Sequence, residues 1–194
     1  YGASKLAAEK LFLAANSLKG KRDLTFSVVR YGNVLSSRGS VIPFFKNLIE
    51  KKAKYLPITD KDMTRFFISL PDSVKFVLNC FNLMSIGEVF VPKLDSFKIV
   101  DLAKVLSPKT KLKFVGIRPG EKLDELLCSK EENQNVIEYN SYYIIFKDLI
   151  DKVKYKKLFK GKKGKDVSKD FYYSSLNNPN FLKLNQIKKK YPNF

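Results

Sequence analysis

Residues 24–35 read Leu-Thr-Phe-Ser-Val-Val-Arg-Tyr-Gly-Asn-Val-Leu, an almost unbroken β-branched and aromatic run. Strict alternation would mark a half-exposed strand, whereas a continuous run predicts one buried on both faces, as in parallel sheets. Residues 2–19 precede it. There Leu6, Leu11, Leu13 and the alanines make a broad apolar helical face, and Gly20 supplies a C-terminal stop. A helix feeding a buried strand is a piece of a βαβ pattern, so the fold class is α/β. One such pair cannot make a doubly wound sheet, and the partner layers are not in this sequence.

The remaining elements are smaller. "SSRGS" (36–40) reads as a loop, "VIPFFKNLIEKK" (41–52) as a helix, and "YLPITD" (55–60) and "TRFFIS" (64–69) as strands. "PDSVKFVLNCFNLM" (71–84) reads as a helix with Pro71 in its first turn, where the missing N–H costs little. "GEVFVP" (87–92) and "KLKFVGI" (111–117) read as strands, "SFKIVDLAKVL" (96–106) as a capped helix, "GEKLDELL" (120–127) as a helix and "VIEYNSYYIIF" (136–146) as strand-like. From residue 151 the pattern weakens into a Lys-rich, mobile segment centred on "GKKGK".

The net charge of +18 raises the possibility of a polyanion partner. Of the 37 basic residues, however, 32 are Lys, scattered rather than striped, and residues 151–194 alone hold thirteen Lys against three Asp. Nucleic-acid sites favour the planar fork of Arg, so no specific nucleic-acid partner is expected. No stretch reaches the ~18–20 apolar residues of a membrane span, and no signal peptide is visible. Cys80 and Cys128 match no metal-ligand spacing and the chain has no His, which predicts no metal and two reduced thiols in a cytoplasmic protein.

Where Lys serves for any plain positive charge, the five arginines, Arg22, Arg30, Arg38, Arg65 and Arg118, mark places where fork geometry matters. Arg65 lies between a loop and a strand. Arg118 lies where a strand meets a Pro-Gly turn, and two such junctional arginines suit a diphosphate. Glu121, three residues on, either accepts from ribose hydroxyls or caps its helix. Tyr1 and Lys5 are one helical turn apart on one face. An ammonium beside a phenol lowers its pKa and makes it a usable base, though ordinary surface pairs share this spacing. "RYGNVLSSRGSVIPFF" combines a strand end, a turn at Gly32 and Asn33, and a Ser/Gly loop entering a helix. Such loops bind ligands in α/β proteins, or simply turn the chain. Neither GxGxxG nor GxxGxxG occurs.

Taken together these stretches resemble the extended short-chain dehydrogenase/reductase family. "YGASK" resembles its Tyr-x-x-x-Lys motif. "FSVVRYGNVLSSRGSVIPFF", "PITDKDMTRFFISL", "GEVFVPK", "DLAKVLSP", "GIRPGEKLDE" and "DFYYSSLNN" follow in order over nearly the whole chain. They are most similar to the subgroup of inverting nucleotide-sugar 4,6-dehydratases acting on UDP-N-acetylglucosamine, which serve pseudaminic acid, capsule and O-antigen synthesis.

The resemblance implies Tyr1 and Lys5 as the catalytic pair, both also touching NADP. It implies Asn33, Arg38, Ser40 and Val41 against the UDP-sugar, Arg65 and Arg118 on the diphosphate, and Glu121 on the uridine ribose. It further implies a remnant of a Rossmann-type parallel sheet in residues 1–35, ending an NADP-binding domain. A smaller α/β nucleotide-sugar-binding domain would span 36–150, with some elements packing back on that sheet, and the Lys-rich segment 151–194. Family members carry a glycine-rich loop and an Asp-Lys acid/base pair ahead of this tyrosine. The expectation is therefore a fragment, inactive alone, of a homo-oligomeric enzyme. A UDP-sugar 4-epimerase of the same superfamily and a non-catalytic basic binding module are the alternatives.

Overall fold

The computed structural model describes residues 2–158, 164–192 and 194. Tyr1 and most of "GKKGK" lie outside them. In chain order the elements are α1 (Gly2–Ala15), β1 (Val28–Val29), β2 (Asn33–Val34), α2 (Val41–Glu50), β3 (Tyr55–Ile58), β4 (Thr64–Ile68) and α3 (Leu70–Phe81). Then come β5 (Val89–Pro92), β6 (Asp95–Lys98), α4 (Ile99–Leu106), β7 (Lys111–Phe114), β8 (Leu126–Cys128), β9 (Val136–Glu138) and β10 (Tyr142–Ile145). α5 (Leu149–Leu158), β11 (Lys165–Asp166), β12 (Tyr173–Ser174) and α6 (Leu184–Lys190) complete the chain. The class is mixed α/β, as the patterning predicts. The chain forms two compact units, each assembled from three segments.

The first unit comprises Tyr1–Arg30, Val74–Lys93 and Cys128–Tyr172. Its sheet runs β1-β5-β10-β9-β11. β1 pairs parallel with β5, Val28 opposite Val89, and the remaining pairs are antiparallel. "VIEYNSYYIIF" is thus a hairpin: Asn140 and Ser141 turn the chain between β9 and β10. Phe90, Ile137, Ile144 and Tyr155 are fully buried in its core, and the Tyr155 hydroxyl donates to Leu83 O at 3.3 Å. Glu88 is buried, and its carboxylate accepts from the backbone N–H groups of Ser85, Ile86 and Gly87 and from the Ser27 hydroxyl.

The second unit comprises Tyr31–Ser73, Leu94–Leu127 and Tyr173–Phe194. β2 pairs parallel and β6 antiparallel with β4, and β3 pairs parallel with β7. Ile42 and Phe45 of α2, Leu56 and Ile58 of β3, Phe67, Phe97, Leu102 and Ile187 close one core. The Phe67 and Phe97 rings stack with centroids 4.1 Å apart.

Several sequence expectations change. The 24–35 run is not one strand buried on both faces; it pairs only as β1 and β2, and Val28 and Val29 are half-buried. Arg30 and Gly32 break it. The Arg30 side chain leaves for two carboxylates, and Gly32 passes so close to β4 that a Cβ there would sit 2.3 Å from Phe66 Cβ. Residues 95–98 form β6, so the expected 96–106 helix starts at Ile99 instead. Residues 120–127 are a turn and extended chain rather than a helix, because Arg65 takes carbonyls that a helix would need. Within 151–194, Tyr155, Tyr173 and Ile187 are fully buried, so aromatic and aliphatic anchors among the lysines build α5, β12 and α6.

Candidate functional site

Every residue of β4 is buried, including Arg65, which is 9% exposed. A buried guanidinium must be paired. Arg65 Nη1 donates to Thr64 O at 2.7 Å and Leu123 O at 3.0 Å, and Nη2 to Lys122 O at 2.7 Å. Its Nε lies 3.3 Å from a Glu125 carboxylate oxygen. The fork expected on a diphosphate is turned onto the chain's own loop. Thr64 N–H also donates to Leu123 O, at 2.8 Å.

The same loop is held by Ser175. Its Oγ accepts the Glu125 N–H at 2.9 Å and lies 2.8 Å from Thr64 Oγ1, while its own N–H donates to Glu125 O at 2.8 Å. Just ahead, residues 118–121 form a turn. Glu121 N–H donates to Arg118 O at 3.0 Å, and Arg118 N–H donates to Glu121 Oε2 at 3.2 Å. Gly120 has φ +79°, a left-handed conformation that residues with a Cβ rarely adopt. The Thr59 hydroxyl donates to Glu121 Oε1 at 3.4 Å. Arg118 is exposed and Glu121 half-buried. The turn therefore presents a solvent-facing planar cation beside a carboxylate with spare lone pairs. That donor and acceptor set matches a phosphate oxygen next to a hydroxyl.

Asn33 is exposed in β2, opposite Phe67 of β4. The loop beyond it carries positive φ at Ser36 (59°) and Gly39 (76°), and exposes Arg38. Ser40 is the extended N-cap of α2, yet its side chain makes no capping bond, and its Oγ is buried without a hydrogen-bond partner. Val41 opens the helix, half-buried. The second unit thus gathers Thr59, Arg65, Arg118 and Glu121 at one loop, and Asn33, Arg38, Ser40 and Val41 at another. Lys5 is exposed on α1 of the first unit, and Tyr1 lies outside the described residues.

Sequence reasoning missed Thr59, Thr64, Glu125 and Ser175, whose hydroxyls and carboxylate carry no spacing signal. It singled out Arg30 only as an arginine. Arg30 bridges Glu9 and Glu132, with contacts of 2.7 Å to each carboxylate. Burial works to raise the pKa of both carboxyls, but hydrogen bonds and charge from Arg30 prevail and hold them below the ordinary carboxylate range. A cleft of about 570 Å³ beside this triad is lined by Leu13, Ser17, Asn135 and Phe146, and the Arg30 and Glu132 on its wall are paired with each other. Cys80 and Cys128 are buried, and desolvation pushes the Cys80 thiol up to about 12, so both stay protonated and inert.

Residues 1–147 match the model of a family described as polysaccharide biosynthesis protein. The chain is 51% identical over 184 residues to the UDP-N-acetylglucosamine 4,6-dehydratase (inverting) of Campylobacter jejuni subsp. jejuni serotype O:2, covering 92% of this chain and 54% of that protein. It is 40% identical over 191 residues to the UDP-glucose 4-epimerase of Rickettsia canadensis, covering 96% of this chain and 55% of that one. The solved structure of Pen from Bacillus thuringiensis superposes on all of this chain and 57% of its own, with a TM-score of 0.84 and 30% identity. The chain spans about half the length of the curated relatives it matches. A family match over three quarters of the sequence, with the Arg118–Glu121 turn inside it, shows that the chain belongs to the polysaccharide biosynthesis protein family.

Proposed function

We propose that this chain is the tyrosine-bearing and nucleotide-sugar-binding part of an NADP-dependent UDP-N-acetylglucosamine 4,6-dehydratase, making a UDP-4-keto-6-deoxy sugar for surface polysaccharide or flagellin glycan synthesis. The observation that supports it most is the 51% identity to the Campylobacter jejuni dehydratase across 92% of the chain. In this reading residues 1–35 end the cofactor domain. β5 and β10 are elements of the following region that pack back on it, since they extend the sheet begun by β1. The working protein is a cytoplasmic homo-oligomer.

Arg118 binds the diphosphate and Glu121 a ribose hydroxyl, while Asn33, Arg38, Ser40 and Val41 contact the sugar side. Arg65 contributes to the same diphosphate grip, chiefly by fixing the loop that carries Arg118. Tyr1 takes the C4 hydroxyl proton, with Lys5, four residues on in the sequence, favouring its phenolate. Lys5, exposed on α1, also suits a cofactor ribose hydroxyl. NADP, when bound, would supply the reversible hydride chemistry that oxidises C4 and, once water is lost across C5–C6, reduces C6; Tyr1 and Lys5 are the residues of this chain that would hold it.

Product analysis tests this. A chain carrying the additional length of its relatives releases the 4-keto product from UDP-N-acetylglucosamine. Tyr1→Phe abolishes turnover and leaves UDP-sugar affinity within a few-fold. The 194-residue chain alone gives no product, because it contains no GxGxxG or GxxGxxG loop to hold the cofactor. Turnover by that chain, or a retained kcat in Tyr1→Phe, contradicts the proposal. The second reading, a UDP-sugar 4-epimerase, draws on the 40% identity to the Rickettsia canadensis epimerase and predicts inversion at C4 with no loss of water.

A further inference from the structure

We propose that Ser175, together with Thr64 and Arg65, is a positioning residue for nucleotide recognition: it clamps residues 122–125 from behind so that Arg118 and Glu121 are presented in a binding-ready turn. The proposal rests on the reading of Arg118 and Glu121 as UDP contacts.

The bonds are one-sided. Lys122 O, Leu123 O, Glu125 N–H, Glu125 O and the Glu125 carboxylate are all engaged by atoms of Thr64, Arg65 or Ser175. The clamp is itself rigid. Thr64 and Ser175 are fully buried, and Arg65 nearly so. Beside Ser175, the buried Tyr173 hydroxyl accepts the Leu94 N–H at 2.8 Å, and Asn178 donates to Leu94 O and Ser96 Oγ at 2.9 and 2.8 Å. The loop ahead is the opposite: Val115, Ile117 and Arg118 are exposed. Such a surface turn would otherwise have to be ordered at the moment of binding, and ordering costs affinity. Ser175 answers both polar atoms of the Glu125 peptide, so removing its hydroxyl leaves an N–H and the Thr64 hydroxyl without their partner and loosens the turn.

The experiment is a double-mutant cycle on the 194-residue chain, read by UDP titration, with amide hydrogen exchange and thermal melting alongside. Ser175→Ala weakens UDP binding about tenfold, the size of losing one well-placed hydrogen bond together with preorganisation. In an Arg118→Ala background the same change costs only the few-fold that remains through Glu121, because a positioning residue acts only through the contacts it positions. In the ligand-free chain, exchange across residues 118–125 accelerates. Arg65→Lys behaves in the same way and stands in if Ser175→Ala does not fold. A full tenfold effect retained in the Arg118→Ala background, or an unchanged affinity in Ser175→Ala, overturns the proposal. Affinity lost by Arg65→Lys without faster exchange overturns it for Arg65, which would then be a direct ligand. If Arg118→Ala itself binds UDP normally, the functional reading fails and the role of Ser175 in recognition fails with it. The exchange data then report separately whether the clamp orders the loop.

Discussion

Arg118 and Arg30 show how context divides one side chain into two roles. Arg118 is exposed, with its backbone fixed and its fork facing water, which suits it to an incoming anion. Arg118→Lys keeps the charge and loses the fork, so UDP affinity in a direct titration falls by about 1.5–3 kcal/mol, the range for hydrogen bonds involving a charged group. An unchanged affinity would make Arg118 a surface residue. Arg30 is buried between Glu9 and Glu132 and ties α1 to β1 in the first unit. Both carboxyls have pKa values lowered in the folded chain, the Arg30 contacts outweighing desolvation. The sign follows by linkage: the stabilisation is complete above the ordinary carboxylate pKa and is lost as pH falls through the lowered values. Glu9→Gln removes part of that dependence. Its melting temperature drops at neutral pH and converges on that of the unsubstituted chain in acid. A constant difference at all pH values would contradict the ion-pair account.

At the scale of elements, β4 organises the second unit, with β2 and β6 on its edges and the Arg118 loop on Thr64 and Arg65. Gly32 is the tightest point, since an added Cβ would meet Phe66 Cβ at 2.3 Å and its carbonyl oxygen at 2.7 Å. Backbone cannot yield as a flexible side chain does. Gly32→Ala therefore destabilises the chain by about 1–3 kcal/mol, the usual cost of overpacking, visible as a lowered melting temperature. A neutral substitution there would mean β2 is free to shift. The amphipathic helices α2 and α4 and the strands β3, β4, β5 and β7 were legible because local period and packing agree. The failures lie where a distant side chain overrides local preference. "GEKLDELL" has helical composition, but Arg65 and Ser175 hold its carbonyls and N–H groups in an extended loop. "LTFSVVRYGNVL" looks continuous, but Arg30 and Gly32 answer to Glu9, Glu132 and Phe66. The site was legible where a residue type is chemically distinctive, as with Arg118 and Glu121. It was not legible at Ser175, where a hydroxyl matters only for what it touches.

For the whole molecule, apolar exposure competes with charge. No described residue of α1 is buried, and Leu11, Phe12, Leu78 and Phe81 are 56–71% exposed. The net charge of +18 opposes association, but screening at physiological salt confines that repulsion to about 8 Å. Short-range apolar contact wins, and the 194-residue chain self-associates in sedimentation velocity. A clean monomer with a sharp cooperative melt would contradict this. The central claim, that this chain holds the UDP grip of a nucleotide-sugar enzyme, is most directly tested by isothermal titration of the chain with UDP, UDP-N-acetylglucosamine and free N-acetylglucosamine. The account predicts saturable binding of the first two, loss of at least about tenfold in affinity in Arg118→Ala, and no detectable binding of the free sugar. Equal binding of all three ligands, or UDP binding indifferent to Arg118 and abolished by salt alone, would contradict it.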